Sequence, residues 1–178
     1  MKRLKNTVVI GLILVIVLFS FTACNGSGRE SHPRGPLDVT KVTYLVYRGG
    51  ICAVDMYVIT DDLKVVKYEI NPEGDKSYDY FAGELPSEDR YEVTESEISD
   101  LDWSSIVNVL TRVNFMELKE DTSTKETIYD GSSYYIRVET KDAVNTSGGY
   151  MAGYDKDSES VRFAEAKEMI TNAIKGLK

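Results

Sequence analysis

The chain has 178 residues, with 21 Lys+Arg against 29 Asp+Glu and a net charge of −8. So acidic a chain argues against nucleic acid and anionic lipid headgroups as partners, because both are polyanions. A single histidine and two cysteines offer no cluster to hold zinc and no pair for nucleophilic catalysis.

The first predicted element is an export signal. Lys2, Arg3 and Lys5 precede an apolar run from Val8 to Phe21, and the run closes on Phe21-Thr22-Ala23-Cys24. As a helix it would reach roughly 21 Å, short of the ~30 Å hydrocarbon core. Asn25-Gly26-Ser27-Gly28 follows in place of a basic stop-transfer cluster, so residues 1–23 read as a signal peptide and not as a span. Without them 155 residues remain, with 18 cations against 29 acids and a net of −11. That length is enough for one domain with an ordinary core.

Residues 24–38 follow as a tether. Gly, Ser and Pro dominate them, and flexible coil of that length spans roughly 20 Å. His32 lies in the tether beside Pro33, which is no setting for a catalytic base. The folded domain is expected over 39–178.

Residues 39–47 alternate, with Val42, Tyr44 and Val46 on one side and Thr43, Leu45 and Tyr47 on the other. Arg48-Gly49-Gly50 predicts a tight hairpin with positive φ. Residues 51–60 return as a strand, with Cys52, Val54, Met56 and Val58 on an apolar face where a thiol is inert. A third strand is expected over 64–70. Residues 71–90 form a long polar loop in which Tyr78, Tyr80 and Phe81 suggest a short edge strand.

Thr94 with Glu97 fits a capping box, and Ser99 with Asp102 offers a slightly later helix start. Ile98, Leu101, Ile106, Val109, Leu110 and Val113 make the apolar stripe, with Trp103 at its margin. The helix stops near Asn114, and Phe115 and Leu118 plug the core. After a turn at Tyr129-Asp130-Gly131, strands are expected over 132–140 and from 143 towards 151, the second loosened at its end by Gly148-Gly149 and Gly153. Asp157 or Ser158 caps a last helix whose apolar face is Phe163, Ala166, Ile170, Ala173, Ile174 and Leu177. The order is βββ(β)αββα. It predicts an α+β domain: a single antiparallel sheet of about five strands with two helices packed on one face.

No catalytic residue, metal site or cofactor is expected. Asp155-x-Asp157-x-Glu159 resembles the opening of a calcium loop, but Ser160 and Ala166 stand where that loop needs glycine and glutamate. The acids Glu84, Glu88, Asp89, Glu92, Glu95 and Glu97 read as a solvated rim. Tyrosine is the compositional oddity, with 12 in the chain. Strands account for many of them, but tyrosine also suits recognition, joining apolar area to a hydrogen-bonding end. Tyr47 and Tyr57, expected opposite the Cys52 face, with Tyr78 and Tyr80 in the long loop, are the candidate ligand-binding residues.

The signal, the polar tether, the hairpin near a glycine pair and the terminal amphipathic helix together resemble small bacterial lipoproteins of unknown function. Phe21-Thr22-Ala23-Cys24 is the motif that carries the resemblance. It implies cleavage before Cys24, a diacylglyceryl group on the thiol, and palmitate-type acylation. It further implies attachment to the cell membrane at its outer, extracytoplasmic face, since two acyl chains anchor firmly. The expected function is a non-catalytic binding or interaction domain of the cell envelope, with a protein or glycan as partner. An inhibitor or protective protein acting on a cationic envelope enzyme is the alternative. An enzyme with an unrecognised carboxylate site is the third.

Overall fold

The computed structural model describes residues 35–49, 53–73 and 77–177. The signal, Cys24, His32, Gly50 and Cys52 lie outside the described residues, and so do the expectations that rest on them. Among the described residues, no helix is long and apolar enough to cross a membrane.

Six strands form one antiparallel sheet: β1 (Val39–Tyr47), β2 (Val54–Thr60), β3 (Lys64–Ile70), β4 (Tyr91–Glu97), β5 (Ser133–Thr140) and β6 (Val144–Tyr150). Their order across the sheet is β4-β3-β2-β1-β5-β6. The first four strands are a meander, and β5 and β6 return along the other side of β1. Two helices, α1 (Asp100–Arg112) and α2 (Ser158–Ile174), complete the α+β fold.

The main core lies between the helices and one face of the sheet. Register explains its composition, because residues directly opposite on paired strands share a face. Val42 pairs with Ile59 and Val138, and Tyr44 with Tyr57 and Ile136. These side chains meet Ile106, Val109 and Leu110 of α1 and Phe163, Ala166, Ile170 and Ile174 of α2. Phe115 and Leu118 plug the same core, and Trp103 packs at its margin. Leu101 leaves the expected stripe and is 76% exposed, since it lies in the first turn of α1.

Helix ends follow local chemistry. Ser99 Oγ accepts from the Asp102 amide at 3.1 Å, and Asp157 accepts from the Glu159 and Ser160 amides at 3.0 and 3.1 Å. These caps satisfy end donors that have no partner within the helix. Asn114 leaves α1 in the left-handed region at φ 52°. Arg162 donates to the Val113 and Asn114 carbonyls, so α2 closes the end of α1.

Three expectations change. The segment Thr94–Glu97 is part of β4, not a helix start, and the later cap at Ser99 is the one used. Glutamate favours helix locally, but the pairing of Lys64 with Glu97, Lys67 with Thr94 and Ile70 with Tyr91 decides. That makes the sheet six-stranded. The expected edge strand at Tyr78–Phe81 is instead a 3-10 turn over Tyr80–Ala82, held by Asp79 Oδ1 accepting from two amides. Beyond Tyr47 the Arg48 amide donates to the Ala53 carbonyl at 2.8 Å, continuing the pairing of β1 with β2. Finally, Gly148-Gly149 does not loosen β6. Both are buried, at φ +157° and +140°; a Cβ at Gly148 would meet Tyr134 O at 2.3 Å, and one at Gly149 would meet Ser123 Oγ at 2.1 Å, so Gly149 lets residues 120–124 lie along the outer edge of β6. There the Thr122 amide donates to Gly148 O at 2.8 Å, and the Gly148 amide to Glu120 O at 3.0 Å.

Candidate functional site

The sheet face opposite the helices carries a second, smaller apolar cluster. Leu45 of β1, Val54 and Met56 of β2, and Ile70 of β3 are buried in it together with Tyr80 from the long loop. Tyr47, Tyr68, Tyr78, Phe81, Leu85, Tyr91 and Tyr135 pack around them, half-buried. Residues 77–90 of the long loop therefore cover this face. Asp79 orders them by capping the 3-10 turn, its own amide donates to Glu84 at 2.9 Å, and Gly83 ends the turn at φ +83°.

Four tyrosine rings form a continuous chain across this cluster. Tyr78 lies 5.9 Å from Tyr80, Tyr80 lies 6.0 Å from Tyr47, and Tyr47 meets Tyr135 edge-on at 5.8 Å and 81°. These separations are in the range where aromatic pairs attract. Arg137 extends the row by sitting 5.8 Å from the Phe81 ring. Burial pushes the Tyr47 hydroxyl up to about 12, helped by Tyr80, Tyr135 and Asp79. Burial also raises Tyr80 and Tyr135. The hydroxyls therefore stay neutral donors well above neutral pH.

Three of the four expected residues come together here, namely Tyr47, Tyr78 and Tyr80. Tyr57 does not. It pairs with Tyr44 and faces the helices, stacked on Tyr44 at 6.2 Å with the Lys67 ammonium 5.8 Å from its ring. The register sets Tyr47 against Val54, three residues before Tyr57, so the two tyrosines fall on opposite faces. The roles also separate. Tyr80 is 5% exposed and anchors the loop, whereas Tyr78 is half-buried at the rim. Tyr135 was not among the expected residues. The Tyr134-Tyr135 pair in β5 was the available signal, because only one of two adjacent strand residues can face the helices.

A polar cleft of about 500 Å³ opens where β2, β3 and β4 end, lined by Arg48, Asp55, Glu69, Asp89, Arg90 and Glu92 among others. Two of its carboxylates, Asp55 and Glu69, are held by cations. Asp55 is bound by Arg48 through Nε at 2.7 Å and through Nη2. Lys67 holds the Glu69 carboxyl below its usual range, which unsuits it as a general acid at neutral pH. Asp155, Asp157 and Glu159 are spent on structure. Asp155 accepts from Thr124 and Lys125, Asp157 caps α2, and Glu159 accepts from the Lys119 amide at 3.2 Å.

No protein-family model matches this chain, and no curated protein matches it in sequence.

Proposed function

We propose that this protein is a lipid-anchored, extracytoplasmic binding protein, non-catalytic, whose recognition face is the tyrosine row on the sheet face away from the helices. The observation that carries the reading is the convergence of Tyr47, Tyr78, Tyr80 and Tyr135 under an ordered loop. The neutral hydroxyls of Tyr47, Tyr80 and Tyr135 can donate, and the charges of Asp79 and Asp121 act on Tyr47 and Tyr135. Rings that stack and hydroxyls that donate suit an envelope glycan or an extended protein segment. The signal sequence ending at Cys24, with its resemblance to lipoproteins, supplies the anchor and the location.

Affinity capture from envelope extract with the full chain in detergent tests this, comparing wild type with Tyr78→Ala and Tyr135→Ala. Both substitutions sit at the half-buried rim and spare the loop anchor Tyr80. A single protein or wall polymer enriched by wild type and lost in both variants is the expected result. A partner retained equally by both variants would refute the tyrosine row as the recognition face.

A further inference from the structure

The two edges of the sheet are treated differently. The outer edge of β6 is covered by Glu120–Thr124 through hydrogen bonds to Gly148 and Tyr150. Among the described residues, no further strand pairs beyond β4. The Ile98 amide donates to Leu63 O at 3.0 Å and the Asn71 amide to Arg90 O at 2.8 Å. With the unbroken β3–β4 register, this fixes the alternation. Arg90, Glu92, Thr94, Ser96 and Ile98 exchange hydrogen bonds with β3, and Tyr91, Val93, Glu95 and Glu97 turn their N–H and C=O outward. The strand has no bulge and no proline, so its outward groups form a regular template for another chain.

Its side chains select the occupant. Glu92, Val93, Thr94, Glu95 and Glu97 are all exposed, and the chain as a whole is acidic. A second copy pairing β4 with β4 would gather the glutamates of both copies into one ribbon, which like-charge repulsion opposes. We propose that the β4 edge is a docking site for an extended, cationic segment of a partner protein, bound by strand addition. Residues opposite Glu95 and Glu97 are basic in such a segment, and residues opposite Tyr91 and Val93 are apolar, because directly opposed residues share a face. This surface is separate from the tyrosine row and does not rest on it.

The test uses the full chain in detergent and two short synthetic peptides, one with threonine at every second position and two lysines followed by two valines at the positions between, so that lysines and valines share a face, the other with glutamate in place of lysine. The expected result is salt-sensitive binding of the lysine peptide alone, with the Val93, Glu95 and Glu97 amides slowed in hydrogen exchange. Val93→Pro removes one outward N–H and no bond to β3, and it weakens binding roughly five- to tenfold. Val93→Thr keeps the N–H and binds as wild type. Absence of binding, equal binding of the glutamate peptide, or binding without protection of those amides would overturn the proposal. The exchange readout decides even where Val93→Pro perturbs the fold.

Discussion

Tyr80 and Tyr78 are two residues apart, their rings touch, and they do different work. Tyr80 fills the space between the long loop and Leu45, Val54, Met56 and Ile70. Truncating it to alanine opens a cavity and frees the loop, so Tyr80→Ala is expected to cost about 3 kcal/mol in denaturant unfolding. Tyr78→Ala at the rim is expected to cost less than about 1 kcal/mol. Equal costs would mean that the loop does not lean on Tyr80. Glycines give a second contrast. A Cβ at Gly148 would stand 2.3 Å from Tyr134 O in a backbone that side chains rarely adopt, whereas one at Gly83 meets nothing within 4 Å. Gly83→Ala therefore carries only the conformational cost, about 1 kcal/mol. Gly148→Ala adds a backbone clash and is expected to cost at least about twice that. Chemical denaturation of the two variants side by side checks the order.

At the scale of elements, the disputed stretch is 91–102. Two helix starts were legible in it, and only one exists. Ser99→Ala should lower stability by about 1 kcal/mol through loss of a cap, while Thr94→Ala should change it by no more than about 0.5 kcal/mol. The reverse order would contradict the boundary between β4 and α1. What was legible followed from local chemistry: the Asp157 cap, the strands of alternating apolar residues, and the stripe of α1 from Ile106 to Val113. What was not legible depended on partners distant in sequence. β4 is a strand because β3 lies beside it. Tyr57 leaves Tyr47 because the hairpin sets Tyr47 against Val54. Gly148-Gly149 tightens an edge because residues 120–124 come to lie on it. The tyrosine row was half legible for the same reason. Composition marked the residue type, and only register and the course of the loop could say which tyrosines meet.

At the scale of the molecule, two apolar clusters share one sheet, and each holds a tyrosine whose hydroxyl is pushed up to about 12 by burial, Tyr44 on the helix side and Tyr47 on the loop side. In the unfolded chain both titrate near their ordinary value of 10.0. A raised folded value keeps stability intact below about 10 and removes it as pH climbs from there towards about 12, because only the unfolded state loses its protons over that window. The melting temperature should fall across that range, and Tyr47→Phe should make the fall shallower. An unchanged slope would show that Tyr47 ionises as freely in the fold as outside it.

The proposed role of the whole molecule begins at Cys24, which would hold both faces of the domain outside the membrane on a short polar tether. Mass spectrometry of the intact protein and of its N-terminal peptide, taken from the membrane fraction of producing cells, tests that directly. The expected chain starts at Cys24 and carries acyl mass on it, and Cys24→Ser abolishes both. A membrane-fraction protein that retains residues 1–23, or whose Cys24 is bare, would contradict the lipid anchor and the location that follows from it.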